Sequence, residues 1–427
     1  MKFKVINFGC KVNTYESTYI EEKFLSEGYT EASSLDDANV IVINTCSVTN
    51  VADSKCKKFI RRIKRENPDA VIIACGCSVQ NNFDEYDSYG LDILLGTYEK
   101  AKIPELYKKY LESKEKIRLF DNNRKKPFEN MLLEKFTKHT RAFIKIQDGC
   151  DNFCSFCVIP LVRGSIRSKN FGEVISEVKK LVKNDHKEIV LVGIHTGSYN
   201  DNGKDLYDLI EELSKIEGLL RIRISSIEIT ELNEKFMNLL KTNKKIVNHL
   251  HIPLQAGSDE ILKIMNRKYD LKYFENKINE IRSIRPDINI TTDVIVGHPY
   301  ETDELFNKTV EFCEKIEFGK IHVFPYSKRN NTKASQMPNQ VDEKDKKDRA
   351  NKLIRVSDIL TSKYENKFIG KTTTIITELN HQNEIVGFTD NYIKVLVTNP
   401  DGLKANELIN VELLNRDNET MYAKYIK

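Results

Sequence analysis

The sequence lacks several features that would assign it to an extracellular or membrane class. Nine cysteines among 427 residues are too few for a disulfide scaffold. No uncharged apolar run is long enough to span a membrane. The opening stretch MKFKVINFGC has no long apolar core or small-residue cleavage site, so we expect no secretion signal. These absences favour a cytoplasmic protein with reduced thiols, in which clustered cysteines usually indicate metal or redox chemistry.

The chain also has little net charge. Its formal charge of +4 means that the whole chain is not a polycation, so any affinity for nucleic acid must come from local patches. No repeat of fixed period and no low-complexity tract stands out. The length predicts about three domains, which we place at residues 1–115, 130–365 and 368–427, with a basic connector around 112–130.

Three cysteines of the first hundred residues follow predicted strands. Short β-branched runs alternate there with helical stretches, which predicts βαβ units and a parallel sheet. The runs KFKVINFGC, ANVIVINTC and DAVIIACGC end at Cys10, Cys46 and Cys77. Because the carboxyl ends of parallel strands meet at one edge of a sheet, where ligands bind, we expect these thiols to converge. The alternative is that each cysteine is a small buried hydrophobe.

The third run contains two cysteines, and we assign them different roles. Cys75 continues the apolar run VIIAC and should point into the sheet, whereas Gly76 frees the backbone to turn Cys77 outward. Cys56 and Cys313 lie in helical patterns, and we interpret both as structural.

The stretch IQDGCDNFCSFC gathers a second group of cysteines, Cys150, Cys154 and Cys157. This spacing is too tight for a zinc ribbon, which needs two separated pairs, and the next residues, VIPLVRGSIRS, offer only weak candidates for a fourth zinc ligand. Cubane clusters usually have four thiolates, so three thiolates leave one iron open to an outside ligand. The stretch resembles the radical S-adenosylmethionine (SAM) enzymes, whose C-x3-C-x2-C motif has an aromatic, here Phe156, before the third cysteine. Zinc or a simple electron-transfer cluster are the alternatives.

Six strand-like runs separated by helical patterns follow the connector, which predicts a partial (β/α)6 barrel. Chemistry in such barrels lies at the carboxyl ends of the strands. Those ends carry GIHTGSY, SSIE, PLQAGS and TTDVIVG, which are either a cradle for SAM or ordinary βα turns. The predicted cofactor-binding residues are Phe156, Gly193, Ser225, Glu228, Gln255 and Asp293.

From Lys371 the pattern alternates with period two, which predicts a small antiparallel β-barrel. Residues 371–427 hold six basic and eight acidic residues, a charge that does not indicate RNA binding. The window 135–170 holds seven basic and two acidic residues, so we expect phosphate attraction there instead. Arg163 and Arg167 in this window are either guides for phosphate or a substrate carboxylate, or ordinary surface charges.

The order of these features along the chain resembles that of the methylthiotransferases, over essentially the whole length. The stretches GCKVNTYES, NTCSVTNVA and GCSVQ match their amino-terminal domain, and the tail resembles the TRAM domain, which helps this family hold RNA. The stretches KIQDGCDNFCSFCVIP, RIRISSIE, LHIPLQAGS and HVFPYSKRNNTKA most resemble the branch that modifies threonylcarbamoyladenosine (t6A) in tRNA. The other branches modify isopentenyladenosine in tRNA or an aspartate of a ribosomal protein.

The resemblance implies two [4Fe–4S] clusters and two roles for SAM. One cluster, on Cys150, Cys154 and Cys157, delivers the electron that cleaves SAM to a 5′-deoxyadenosyl radical, which takes hydrogen from C2 of the adenosine beside the anticodon. A methylated sulfur carried on the other cluster, held by Cys10, Cys46 and Cys77, then joins C2. All six cysteines are therefore predicted to be both metal ligands and catalytic.

The same resemblance implies partners. We expect a tRNA anticodon loop carrying t6A as substrate, an electron donor such as flavodoxin or ferredoxin, no membrane, and a monomer. The alternative from a different functional class is a non-catalytic iron–sulfur protein that binds RNA or transfers electrons. One stretch departs from the family: GHPYET stands where a G-[FY]-P-G-E-T turn is usual, so Tyr300 replaces a glycine and a positive φ there would be costly.

Overall fold

The structure is a computed structural model that describes residues 1–47, 50–136, 140–380, 382–400 and 402–426. Val48 and Thr49 of the stretch NTCSVTNVA and Lys138 of the basic window lie outside the described residues. Within the described ranges, no helix is both long enough and apolar enough to cross a membrane.

The amino-terminal part is a six-stranded sheet in the order 2-1-3-4-5-6, and all its strand pairs are parallel. Its central strands are buried on both faces, as their continuous β-branched runs predict. The last strand of this sheet lies within the stretch around 112–130 that was predicted to be a connector. The elements are β1 (Lys2–Asn7), α1 (Lys11–Ser26), β2 (Thr30–Glu31), β3 (Val40–Thr45), α2 (Asn50–Glu66), β4 (Val71–Gly76), α3 (Cys77–Asn81), α4 (Phe83–Ser88), β5 (Ile93–Leu95), a 3-10 helix (Lys100–Lys102), α5 (Ile103–Ser113) and β6 (Ile117–Leu119).

The central part carries six parallel strands, as the partial-barrel prediction requires. They form two three-stranded sheets, which the parallel bridge between Ile222 and Ile246 joins. The strands and helices are β7 (Ala142–Lys145), β8 (Gln147–Asp148), α6 (Ile159–Val162), β9 (Arg167–Ser168), α7 (Phe171–Lys183), β10 (Glu188–Val192), β11 (Asn200–Asp201), β12 (Lys204–Asp205), α8 (Leu206–Ser214), β13 (Arg221–Ile224), α9 (Glu234–Thr242), β14 (His249–His251), α10 (Asp259–Ile264), α11 (Leu271–Ile284), β15 (Asn289–Val296), α12 (Asp303–Ile316), β16 (Lys320–Pro325), α13 (Lys333–Gln336) and α14 (Glu343–Asn366). Two further 3-10 helices span Thr196–Ser198 and Ile229–Glu231.

The carboxyl-terminal part is a closed five-stranded barrel in the order 17-18-19-21-20, which confirms the β-barrel prediction. All its pairs are antiparallel except β19 with β21. Alternate residues, such as Val395 and Val411, fill its interior. The strands are β17 (Thr372–Leu379), β18 (Ile385–Thr389), β19 (Lys394–Val397), β20 (Leu408–Asp417) and β21 (Thr420–Ile426).

The three parts pack directly on one another. Tyr15 of α1 belongs to the hydrophobic core of the partial barrel, and its hydroxyl donates to Glu177 of α7 at 2.8 Å. On the other side, Arg221 of β13 donates to the carbonyl oxygens of Phe388 and Thr374 in the terminal barrel, at 2.9 and 2.7 Å. These contacts hold the strand ends of the partial barrel in a fixed position relative to the other two parts.

In the turn GHPYET, the residue that replaces the usual glycine adopts a positive φ, which is costly for a residue with a side chain. Tyr300 has a φ of 71°, in the left-handed region that favours glycine. Its backbone N–H donates to the carbonyl of Asn339 at 3.0 Å, which holds the residue in place. The neighbouring His298 is fully buried, and its Nε2 lies 3.0 Å from Oγ of Ser155 in the cysteine-rich loop. The turn therefore supports that loop.

Candidate functional site

The strand ends of the amino-terminal sheet bring the first cysteines to one edge. Cys10 precedes α1, Cys46 follows β3, and Cys77 is the first residue of α3. A Cβ at Gly9 would lie 3.0 Å from Cβ of Cys46, so the loop before Cys10 rests on Cys46. Gly76 has a φ of 108°, and a Cβ there would lie 2.5 Å from the carbonyl oxygen of Thr45. Only glycine permits this chain reversal between β4 and Cys77.

Asn13 and Arg163 connect the ends of these strands. The Nδ2 group of Asn13 donates to the carbonyls of Phe8 and Thr45, at 3.2 and 2.9 Å. Arg163, which belongs to the partial barrel, donates from Nη2 to Oδ1 of Asn13 at 2.9 Å and from Nε to Sγ of Cys77 at 3.1 Å. One guanidinium group from a different part of the chain therefore completes the surroundings of the first three cysteines.

A buried network of charges surrounds Arg163. Lys100 pairs with Glu16, and Lys145 lies 2.7 Å from both Glu16 and Asp148. Arg163 lies 3.1 Å from each of the same two carboxylates. Burial alone would raise the pKa of Glu16, but Arg163, Lys100 and Lys145 hold it well below its usual range.

The network contains more positive than negative charge. Arg167 also pairs with Asp148, at 2.9 Å, so four cations share two carboxylates. Glu129 is a third acidic side chain near Lys100 and Lys145, and burial raises the pKa of its carboxyl; the cations outnumber the acidic groups whether or not Glu129 is ionised. The excess positive charge therefore lies beside Cys77, in an interior where charges are poorly screened.

These contacts correct the interpretation of the basic window 135–170. Lys145, Arg163, Arg167 and Lys169 are all buried and ion-paired, so they do not attract phosphate at the surface. The charge count was right, but the charges face acidic residues: Asp148 inside the window, Glu177 just beyond it, and Glu16, which is distant in sequence. The alternative that Arg163 and Arg167 are ordinary surface charges is wrong because both are buried, and their carboxylate partners leave neither side chain exposed as a guide for phosphate or a substrate carboxylate.

The second group of cysteines lies on one loop between β8 and α6. Cys150, Cys154 and Cys157 are all partly exposed. The N–H of Cys157 donates to the carbonyl of Cys154 at 3.0 Å, and the backbone of Ser155 bonds to Met265 and Ala334, at 3.0 and 2.8 Å. Burial raises the pKa of Cys157 to about 12, so metal binding there must release a proton.

Two side chains that sequence analysis missed lie against this loop. Arg267 donates from Nη1 to Sγ of Cys154 at 3.3 Å and pairs with Glu228. His195 lies 2.7 Å from Glu231; burial lowers the pKa of this imidazole, but Cys150 and Glu231 raise it to about 10. His195 could have been noticed in the quoted stretch GIHTGSY, whereas Arg267 lies in no pattern that marks it.

A cavity of about 960 Å³ opens at the carboxyl ends of the barrel strands. Of the predicted cofactor-binding residues, Gly193, Ser225 and Asp293 line it, together with Cys10. The others lie outside its lining: Glu228 pairs with Arg267, Gln255 bonds through its backbone to Asp293 at 2.8 Å, and Phe156 packs on an apolar cluster with Ala256.

The terminal barrel forms a third wall of this cavity. Phe388, Tyr392, Lys394 and Arg416 all line it. The ring of Tyr392 stacks on His249 and on Phe388, with centroid distances of 4.7 Å in both cases. The cavity is therefore built from all three parts of the chain.

The remaining cysteines do not lie at either site. Cys75 and Cys56 are fully buried in the two hydrophobic clusters that cover opposite faces of the amino-terminal sheet, and Cys313 is buried in the core of the partial barrel. Burial raises the pKa of Cys75 to about 12.

Each cysteine group offers three thiolates, the ligand type that iron–sulfur clusters bind. Among the side chains that the structure describes, no three His, Cys, Asp or Glu converge closely enough to hold one ion. A cluster binds each thiolate through a different iron, so its cysteines stand apart around it. Buried cations beside Cys77 would also offset the negative charge of three thiolates held at one cluster.

Comparison with known proteins first defines the class. Residues 144–313 match the model of the radical SAM superfamily, and residues 2–96 match the model of a group described as uncharacterized protein family UPF0004. Among solved structures, the radical SAM methyltransferase TsrM from Kitasatospora setae superposes with a TM-score of 0.57 over 78% of this chain and 75% of that chain. Its 14% identity shows the shared fold alone. The fold and the cysteine loop are those of a radical SAM enzyme.

Relatives at higher identity define the family. The threonylcarbamoyladenosine tRNA methylthiotransferase MtaB of Bacillus subtilis is 42% identical over 95% of this chain and 92% of its own length. The protein of the same name from Thermotoga maritima is 37% identical, over 92% and 90%. The tRNA-2-methylthio-N(6)-dimethylallyladenosine synthase of Natranaerobius thermophilus is 36% identical, over 87% and 84%. The chain belongs to the radical SAM methylthiotransferase family, and it uses SAM and [4Fe–4S] clusters.

Proposed function

We propose that the protein inserts a methylthio group at C2 of t6A beside the anticodon of tRNA. The observation that carries this proposal is the shared cavity, which receives strand ends from the partial barrel, side chains from the terminal barrel and, of the six cysteines, Cys10 alone from the amino-terminal sheet. Sulfur transfer, hydrogen abstraction and RNA binding must meet at one carbon atom, and this cavity joins the three parts that would supply them. The names of the Bacillus and Thermotoga relatives support the t6A branch.

The six cysteines divide into two sets of ligands. Cys10, Cys46 and Cys77 hold one cluster, and Cys150, Cys154 and Cys157 hold the other. When bound, the clusters and SAM supply the radical chemistry and the sulfur. The chain's own part is to orient the thiolates: Arg163 donates an N–H to Cys77, and Arg267 donates one to Cys154. Such outer hydrogen bonds fix a ligand's orientation and reduce the negative charge on its sulfur.

The strand ends that line the cavity bind SAM. The Ser225 hydroxyl and the Asp293 carboxylate provide polar contacts there, and Gly193 lets the backbone approach closely because it has no side chain. Glu228, Gln255 and Phe156 lie outside the lining of the cavity and act through the residues that they contact. Glu228 positions Arg267, Gln255 holds the backbone of β15, and Phe156 fixes the cysteine loop on its apolar cluster.

The protein acts as a monomer. Electrons reach its cysteine loop from a small carrier such as flavodoxin or ferredoxin. Phe153, Leu161 and Ile166 are large apolar side chains that stay exposed around the second cysteine group. Arg124 lies 4.7 Å from the ring of Phe153 and pairs with Asp151 at 3.2 Å, so it adds no net charge to this apolar surface. Changing Leu161 to Asp should slow reduction by such a carrier and leave reduction by dithionite unchanged.

Nucleoside analysis tests the proposed reaction. A strain without the gene should lack the methylthio derivative of t6A in its tRNA and retain that of isopentenyladenosine. Loss of the isopentenyladenosine derivative, or of a methylthio-aspartate in a ribosomal protein, would assign the chain to another branch. A reduced protein that forms no 5′-deoxyadenosine from SAM would instead be the non-catalytic iron–sulfur protein.

A further inference from the structure

The proposed substrate carries a charge close to the reacting carbon. The threonylcarbamoyl group of t6A is attached to N6 of adenine and ends in a free carboxylate, whereas an isopentenyl group is uncharged. C2 and the carbon that carries N6 flank the same ring nitrogen, N1. A group that recognises the N6 substituent must therefore lie close to the place where C2 receives its sulfur.

Four Lys and Arg side chains line the cavity, and two of them are already paired. Lys320 lies 3.1 Å from Asp358, and Arg416 lies 2.6 Å from Glu365. The other two, Lys11 and Lys394, make no ion pair with any residue that the structure describes. Neither ammonium group therefore has a carboxylate within ion-pair distance among the described residues, and Asp293 in the same cavity wall acts on Lys11 only from a greater distance.

Lys11 has the more favourable position of the two. It directly follows Cys10, so it lies where sulfur transfer takes place, whereas Lys394 belongs to the terminal barrel. Its side chain is exposed within the cavity. The nearby guanidinium groups of Arg141 and Arg223 already have carboxylate partners, Glu378 at 3.2 Å and Glu188 at 2.8 Å.

We propose that Lys11 is a specificity residue, whose ammonium group binds the carboxylate of the threonylcarbamoyl group while C2 faces the sulfur site beside Cys10. This inference rests on the proposed function. It explains how this cavity would distinguish t6A from isopentenyladenosine, because Lys11 is the cation of its lining that lies beside Cys10 and makes no ion pair with a described residue. A hydrogen-bonded charge pair of this kind changes affinity by about ten- to a hundredfold.

Binding of two synthetic anticodon stem-loops tests the proposal without turnover. One carries t6A and the other its uncharged methyl ester, and the reconstituted holoenzyme is used without SAM or reductant. The wild type should bind the acid about ten- to a hundredfold more tightly than the ester. Lys11→Gln should bind both equally, and Lys11→Arg should recover part of the preference. The matched control, Lys394→Gln, should change both affinities by the same factor.

A second measurement needs no variant. The acid-bearing stem-loop should protect Lys11 of the wild type from chemical acetylation more strongly than the ester does, as mass spectrometry can show. The Lys11 assignment is overturned if Lys11→Gln keeps the preference, if Lys394→Gln loses it, or if both stem-loops protect Lys11 equally. In each of these cases the nucleoside analysis still decides the proposed function independently. A wild type without preference would overturn carboxylate recognition itself.

Discussion

The two cysteine groups are built in opposite ways. The first is assembled from three strand ends and rests on a buried charge network that joins two parts of the chain. The second lies on a single loop with partly exposed cysteines, which a few contacts from Arg267 and Ser155 hold in place. The first site therefore depends on the packing of whole domains, and the second depends mainly on local structure.

The comparison also shows where the two sites meet. Val158 and Val162 follow the second group directly in sequence, and both pack against Cys77 of the first. Arg163, the next residue, donates to the sulfur of Cys77. The cysteines separate into two sets, but the segment after the second set completes the surroundings of the first.

The largest effect should come from Arg163→Met. Removing this guanidinium takes one hydrogen-bonded cation from Glu16 and Asp148, which keep Lys100, Lys145 and Arg167 as partners, so the cost should be about 1.5–3 kcal/mol of folding free energy. Iron held by the first group should also be lost, while SAM cleavage continues. Arg167→Met is the matched control, because Arg167 pairs with Asp148 but not with Cys77. Denaturant unfolding and iron analysis give the answer, and a full iron content in Arg163→Met would contradict it.

Replacing the second group tests the independence of the first. The variant with Cys150, Cys154 and Cys157 all changed to Ala should hold about four irons per chain instead of about eight. The first site should survive because its ligands belong to a separate sheet, and formation of 5′-deoxyadenosine should stop. Anaerobic reconstitution and iron analysis provide the measurement. A variant without any iron would show that the six cysteines do not form two sites.

Within the first site, Cys75 and Cys77 should respond differently. Cys75→Ala removes a buried thiol from an apolar cluster and should cost about 1 kcal/mol of stability. Cys77→Ala should abolish sulfur insertion while SAM cleavage continues. The ratio of methylthiolated tRNA to 5′-deoxyadenosine measures this for each variant. The assignment is wrong if Cys75→Ala is the one that loses sulfur insertion.

The smallest effect concerns the turn that supports the second group. Tyr300→Gly should stabilise the protein by roughly 0.5–1 kcal/mol, because it relieves a positive φ. Tyr300→Ala is the control, since it removes the ring but keeps the Cβ and the strain. Thermal unfolding should show a higher midpoint for the glycine variant alone. Equal midpoints for the two variants would mean that the backbone angle carries no cost here.

The sequence predicts the architecture well because its signals are local. Buried strands such as β3 read as β-branched runs, and the glycine before Cys77 marks the reversal at the strand end. The spacing of Cys150, Cys154 and Cys157, with Phe156 before the third, favours the radical SAM class over zinc or a simple electron-transfer cluster. In each case residues that are close in sequence carry the pattern.

The electrostatics of the site could not be predicted in this way. Glu16 pairs with Lys100, Lys145 and Arg163, which come from other parts of the chain, so no periodicity records the contact. Counting charges in a window therefore mistook buried ion pairs for a phosphate-binding surface. The same limit applies to Arg267 and Tyr392, which reach the site only through tertiary packing.

The stacking of Tyr392 on His249 means that the terminal barrel cannot be removed as a separate RNA handle. A chain shortened after α14 would lose one side of the cavity that all three parts of the chain line. The barrel is therefore a structural wall of the site opposite Cys10 and Lys11, and its loss would open the cavity to solvent.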